Sequence, residues 1–387
     1  MIMMRKTTMN IKKSRGLSLI ELLVSMVLGL TLATGVVQIY AGSNTTERDR
    51  EARQRIQENG RFALNFMSQQ VRMAGYLGCL GLQGVSVNNI LDAAPATFQP
   101  QFGIQGWEAT GTSPGTINNS ANDVATVATN TAEWTNGEAG HVIPTFNAVP
   151  NSDIVRIWGA AGSPGIVSSI TAGVVTPSFV AENDVGIAVN DFVLISDCEQ
   201  ADFVQACAIA PAGATTSTIL LSTACSPGNV ASSSISSQTS PASPAEVVRL
   251  QGTIFYVGKR GDLATNGSSL FRRELSATGT AGVAEELIEG VESMQILYGI
   301  NVDQDIRNTV DAYIPADLVT EFSKVISIRI SLLMQSVEDG SVPAAQAYTF
   351  DGVLYDGASG NGNLPVDNRV RRVFTSTIGL RNRALGA

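Results

Sequence analysis

The sequence is poor in the residues from which catalytic and metal sites are most often built. It has one histidine, His141, and four cysteines in 387 residues. None of the cysteines forms a C-x-x-C pair, so Cys79, Cys198, Cys207 and Cys225 do not read as a zinc site. A lone His141 in a polar region has no evident partners for acid–base work and reads as ordinary surface. The Gly-rich stretch Asp356–Asn363 lacks the lysine and the strand–Gly–helix context of a phosphate loop, and reads as a flexible loop. No nucleophile motif accompanies these residues. The sequence therefore points away from an enzyme and names no cofactor.

Charge is also scarce. Only 15% of residues are charged and 6% are aromatic, whereas glycine occurs 37 times. That balance suits a strand-and-loop body better than a helical bundle. The formal net charge is −9, but the first 16 residues carry Arg5, Lys6, Lys12, Lys13 and Arg15 with no acid; without those five charges the remainder stands at −14. An acidic body of this kind repels phosphate backbones, which argues against direct nucleic-acid binding.

What the chain does have is one long apolar run. Leu17 to Val37 holds a single charge, Glu21. As a helix these residues span about 30 Å, enough to cross a bilayer's hydrocarbon core. The basic flank before the run and the mixed charges after it, Glu47 to Glu51, place the N-terminus in the cytoplasm and the body outside. An ordinary signal peptide has a shorter run and a small-residue cleavage site, for which Ala33-Thr34-Gly35 is a poor match. A plain signal anchor leaves Glu21 unexplained, because a carboxylate inside an apolar span is costly and usually has a partner.

Lys12-Lys13-Ser14-Arg15-Gly16 followed by Leu17-Ser18-Leu19-Ile20-Glu21-Leu22-Leu23-Val24 resembles the class III signal of type IV prepilins. The resemblance implies cleavage between Gly16 and Leu17 by prepilin peptidase and N-methylation of Leu17, although most members carry Phe or Met there. It also implies that Glu21 neutralises the N-terminal amine of a neighbouring subunit, setting register during assembly. A buried ion pair is a poor source of stability but a good device for register.

Beyond the span an amphipathic helix is expected over roughly Thr46 to Ala74, with Ile56, Ala63, Phe66, Met67, Val71 and Ala74 on one face and a stop at Gly75. From Leu17 to Ala74 a straight helix is about 87 Å long, with Gly29, Gly35 and Gly60 as weak points. The expected organisation is therefore a leader over 1–16, a transmembrane half over 17–42, an amphipathic half over 43–75 and a β-rich head over 76–387. Strands are expected at Asp153–Trp158, Asp191–Ser196, Thr218–Thr223, Val247–Val257, Leu270–Glu274, Met294–Gly299, Lys324–Gln335 and Val370–Leu380. The expected fold class is α+β: a long helix packed on two antiparallel sheets. The regions 88–149 and 226–244 read as irregular insertions.

Several head segments are similar to the PilW-like minor pilins. They are Met73-Ala74-Gly75-Tyr76-Leu77-Gly78-Cys79, Asp191 to Cys198, Ser269 to Arg273, Leu287 to Glu292 with Leu297-Tyr298-Gly299, Val325 to Leu333, and Arg372 to Thr377 with Arg381-Asn382-Arg383. The resemblance implies a subunit that, with other minor pilins and the major pilin, primes assembly at or near the tip. It implies an inner-membrane stage with the head in the periplasm of a Gram-negative cell, then the pilus, with roles in twitching and adhesion. A tip adhesin is a further implied partner. The alternatives are a tip docking module and a J-type minor pseudopilin of type II secretion.

Four cysteines outside the cytoplasm suit disulfides, and three pairings are open. The expected set is Cys79 with Cys198 and Cys207 with Cys225, the latter closing a loop worth about 3 kcal/mol. Asn301, Asp303 and Asp305, with Asp311 nearby, resemble the start of a calcium loop. Ile306 stands where the turn needs Gly and Ala312 where a bidentate Glu belongs, so a solvated acidic turn is expected instead.

Overall fold

The computed structural model describes residues 18–76, 87–118, 125–127, 133–172, 176–222, 225–231, 234–259, 267–275, 279–302 and 309–384. The chain divides into two compact units, with the boundary between Glu51 and Ala52.

The dominant local element is one α-helix, Leu19–Arg72. It runs without interruption through Gly29, Gly35 and Gly60, so none of these breaks the helix as expected of it. Where apolar residues give way to polar ones, Thr45 and Thr46 each donate a hydroxyl hydrogen bond to the Gly42 carbonyl at 2.9 Å. Such local bonds satisfy these side chains without opening the helix. The helix ends in a turn in which Gly75 adopts φ 68°, a conformation that costs glycine nothing. The Gly75 amide then donates to the Trp158 carbonyl at 2.8 Å.

In the first unit the helix is exposed along its apolar length, from Leu19 at 79% to Tyr40 at 68%. Its 18-residue window of greatest hydropathy averages 2.1 and is nowhere buried. By length and composition this segment can cross a membrane.

In the second unit Ile56, Gly60, Ala63, Met67 and Val71 are buried, a stripe at spacings of three and four. They share one core with Met294, Ile296, Tyr298, Ile328, Ile330, Leu332 and Ile378 of a four-stranded sheet, and with Ile104, Val155, Ile157, Phe255 and Val257 of a larger one. The small sheet orders Ala312–Ile314, Val291–Ile300, Val325–Gln335 and Arg371–Gly379, all antiparallel. Along Val325–Gln335 the even-numbered Ile326, Ile328, Ile330 and Leu332 are buried; of the other face only Arg329 and Ser331 are partly exposed, so the strand is half-buried at its centre and covered on both faces toward its ends.

The larger sheet has twelve strands. Its spine is the pairing of Ile154–Thr171 with Ala245–Lys259, flanked by Phe192–Ser196 and Ser268–Glu274. Two further hairpin-like ribbons, Tyr348–Phe350 with Val353–Tyr355 and Ala125–Val127 with Phe146–Ala148, complete the head. The class is α+β, a long helix with a large β-rich region. The arrangement differs in detail from two antiparallel sheets, since ribbons are added and Val87–Asn89 pairs parallel to Ala201–Gln205.

The region 88–149 differs most from the irregular, exposed insertion expected. Ile104–Ala109 is a fully buried strand paired to Ile154–Thr171, and Trp107 and Trp134 are inaccessible. Its polar residues disguise it: Gln105 and Glu108 are buried among partners supplied by distant segments, so no apolar alternation marks the strand. Residues 226–244 are largely loop, yet Asn229, Ile235 and Ser237 are buried. Ser236 and Ser237 donate amide and hydroxyl hydrogen bonds to the Asp202 carboxylate at 2.6–2.9 Å, which holds that loop against the sheet.

Candidate functional site

Two places bear on function: the start of the helix and the polar interior of the head. Gly16 and Leu17, where cleavage and methylation are expected, lie outside the described residues. Ser18 and Glu21 are described, and they form a reciprocal cap. The Ser18 hydroxyl accepts from the Ile20 amide at 3.3 Å, and the Glu21 carboxylate accepts from the Ser18 amide at 3.5 Å. Ser-x-x-Glu before an apolar run is a capping box, which satisfies amides that the first helical turn leaves without partners. The sequence carries this signal openly in Ser18-Leu19-Ile20-Glu21. Glu21 is thus positioned to stabilise its own helix start, and it stands among exposed Leu19, Ile20, Leu22 and Leu23.

In the head, Asp153 is inaccessible and joins the two sheets. One carboxylate oxygen accepts from the Ala109 amide at 2.9 Å and the other from the Ile296 amide at 2.7 Å. Glu108 lies nearby, accepting from the Thr112 hydroxyl and the Ala316 amide, both at 3.4 Å. Burial, then the charge of Asp317, pushes the Glu108 carboxyl up to about 8. Burial and then Glu108 raise Asp153 well above the usual carboxylate range. The Tyr298 hydroxyl is buried close to both acids, in room that Gly106 leaves open by lacking a side chain. This cluster is sealed from solvent; it ties strands together and presents no group to a substrate.

A second interior network surrounds Arg156. Its guanidinium donates to Gln105 Oε1 and Gln99 Oε1 and to the Thr97 and Val142 carbonyls, with the Trp107 ring 5.2 Å away. A buried cation without a carboxylate is tolerable because neutral oxygens and an aromatic face replace its hydration. Burial lowers its pKa to about 9. His141 belongs to the same interior, which corrects its reading as surface. It packs between Phe102 and Phe322, and burial, then Arg156, brings it down to about 4. It is therefore neutral near pH 7, and its 3.3 Å approach to Glu138 is no ion pair there.

An open cleft of about 410 Å³ lies beside the Tyr348–Tyr355 ribbon. Tyr348 and Tyr355 stack at 4.9 Å along one side. On another, Arg371 bridges Glu292 at 2.7 Å and Asp367 at 2.6 Å.

Cys207 and Cys225 are joined by a disulfide, with Cα atoms 5.2 Å apart. It closes the hairpin side of Ala208–Pro211. Cys198 is also disulfide-bonded, while Cys79, its expected partner, lies outside the described residues. In the acidic turn Asp303 and Asp305 lie outside them as well; Asp311 accepts from the Val302 amide at 2.7 Å, which gives it a turn-closing role. Among the described residues no group of three or more His, Cys, Asp or Glu is placed to hold a metal ion.

A helix able to enter a membrane, opened by a capped glutamate and continuing into a β-rich head, has the architecture of a type IV pilin. Residues 11–37 match the prokaryotic N-terminal methylation motif. Residues 254–382 match type IV pilus-assembly protein W, so this part of the head is PilW-like. The second match takes in the small sheet and the expected motifs from Ser269 to Asn382, but not those at Met73–Cys79 or Asp191–Cys198. The matched families are structural components of pili. No curated protein and no solved structure gives a significant match.

Proposed function

We propose that this chain is a minor pilin cut between Gly16 and Leu17 by prepilin peptidase, methylated at Leu17, and assembled with other minor pilins and the major pilin. It begins as a single-pass inner-membrane protein with the head in the periplasm and moves to the tip region of the pilus. There it primes assembly and so supports twitching and adhesion. The observation that carries this reading is the joining, in one chain, of the methylation motif to a PilW-type sheet through an exposed apolar helix.

Within it, Glu21 pairs with the N-terminal amine of a neighbouring subunit, and its cap geometry makes the test sharper. Glu21→Gln keeps a side chain able to accept from the Ser18 amide but removes the charge. Leader removal is expected to proceed normally in this variant, measured by mass spectrometry, while recovery in sheared pili falls at least tenfold. Normal recovery of Glu21→Gln refutes the register role. Deleting the gene tests the wider reading: loss of surface pili supports it, retained pili with lost adhesion favours a tip adhesin, and accumulated periplasmic exoproteins favours type II secretion.

A further inference from the structure

The strands that end the sheets are treated unequally. Ala208–Pro211, at one end of the larger sheet, is four residues long, closes on a proline and follows the Cys207–Cys225 disulfide. Val87–Asn89 at its other end and Ala312–Ile314 in the small sheet have three residues each. Glu285–Glu289 carries three glutamates. Shortness, proline and charge are the usual means of keeping an unpaired edge from recruiting another chain. Arg371–Gly379 is less protected: nine residues, no proline, charge only at its first two positions, and Val373-Phe374-Thr375-Ser376-Thr377 uncharged at its centre.

Its hydrogen-bond phase can be read from both ends. The Leu380 amide donates to the Ile326 carbonyl, and the Ser336 amide to the Val370 carbonyl, each at 2.9 Å. The register between them is unbroken, pairing Ser327 with Gly379 through to Gln335 with Arg371. Paired residues of an antiparallel ladder alternate between bonded and non-bonded. Arg372, Phe374, Ser376 and Ile378 therefore bond inward to Val325–Gln335. Val373, Thr375 and Thr377 direct their amides and carbonyls away from the sheet, where the described residues give them no hydrogen-bond partner.

We propose that this edge receives an extended, acidic β-strand from another subunit of the pilus, continuing the small sheet across the interface. The strand's only charges are Arg371 and Arg372; Arg371 is held by Glu292 and Asp367, while Arg372 is exposed at the edge. A carboxylate opposite Arg372 is thus favoured. A second copy brings the same two arginines, and its pairing is disfavoured. Main-chain bonds supply affinity in this mode, and the side chains on alternate faces supply specificity. The inference rests on the pilin reading above.

The test uses the detergent-solubilised full chain, alone and co-expressed with the other pilin subunits of its host. Amide exchange at Val373, Thr375 and Thr377 is expected to slow at least tenfold in the co-purified complex, with Phe374 and Ser376 slow in both states. Thr375→Pro removes one outward amide and no inward main-chain bond, losing toward the sheet only the Ser331–Thr375 hydroxyl contact at 3.0 Å, and co-purification should fall at least tenfold while circular dichroism is unchanged. Should that variant misfold, exchange in the unmodified chain still decides. If the chain co-purifies with these amides unprotected, or Thr375→Pro co-purifies normally, the edge proposal fails and the pilin reading stands. If the chain co-purifies with no pilin, both fail. Protection arising from self-association without partners assigns the edge to a second copy and overturns the choice of occupant.

Discussion

Two stretches of one helix behave as different materials. From Leu19 to Glu51 the side chains are exposed almost without exception, including the most apolar ones in the chain. From Ala52 to Arg72 a stripe of small and medium residues is fully covered. The backbone is the same in both, so helicity does not distinguish them; what differs is where the apolar area goes. The second stretch buries a narrow face against its own head and keeps its other faces polar. The first is apolar all round as far as Ala41, apart from Glu21 and a few uncharged polar side chains, and that part finds no cover within the described chain, which is the property of a segment whose solvent is lipid or neighbouring helices.

The largest contrast should come from paired truncations. Met67→Ala removes a fully buried side chain and is expected to destabilise the head by about 2–5 kcal/mol in denaturant unfolding. Leu28→Ala should change the same transition by less than about 0.5 kcal/mol. Comparable losses at the two sites would erase the distinction. Next, Val27→Arg places a charge in the exposed apolar stretch and should cost about 2.5–3.5 kcal/mol of membrane insertion, read as lost membrane fractionation, with the head's unfolding unaltered.

Glycines give a finer comparison. A Cβ on Gly60 would lie 2.6 Å from the Phe374 ring, whereas one on Gly35 meets nothing within 4 Å. Gly60→Ala should therefore cost about 1–3 kcal/mol by overpacking, partly restored by Phe374→Leu. Gly35→Ala should instead stabilise the helix by about 0.5–1 kcal/mol. Opposite signs in one helix would show that packing, not propensity, sets the outcome at Gly60.

A last comparison concerns pH, and turns on buried Glu108. The folded head holds the Glu108 proton more tightly than the unfolded chain does, with a pKa near 8 against 4.5. Its contribution is complete below about pH 4.5 and is lost as pH climbs through 8. Glu108→Gln should lessen the fall in stability between pH 5 and 8.5. A variant with the same pH profile as the unmodified chain would place that proton elsewhere.

Much of this was legible in advance because it depends on short-range pattern. The apolar span, the Ser18–Glu21 box and the alternation in Val325–Gln335 are all properties of neighbouring residues. So are the expected strands: seven of the eight lie inside observed ones to within one residue at their ends, and Thr218–Thr223 overlaps Thr216–Leu220 over 218–220. The strand Ile104–Ala109 was not legible, because Gln105 and Glu108 look solvent-bound until Arg156, Thr112 and Ala316 arrive from elsewhere. His141 was misread for the same reason: its burial depends on Phe102, Phe322 and Arg156, and only Phe322 lies in a recognisable motif's vicinity. The capping box could have been read from Ser18 and Glu21 alone.

Sequence by itself determined the membrane-competent helix, its cap, and the match to the N-terminal methylation motif, since each rests on residues within a few turns of one another. Tertiary structure alone decided which polar groups are interior, how Asp153 fastens the two sheets, and which strand is left at an edge. Those outcomes depend on partners tens to more than a hundred residues apart, as with Gln105 and Arg156 or Asp153 and Ile296, and no local pattern encodes who will stand beside whom.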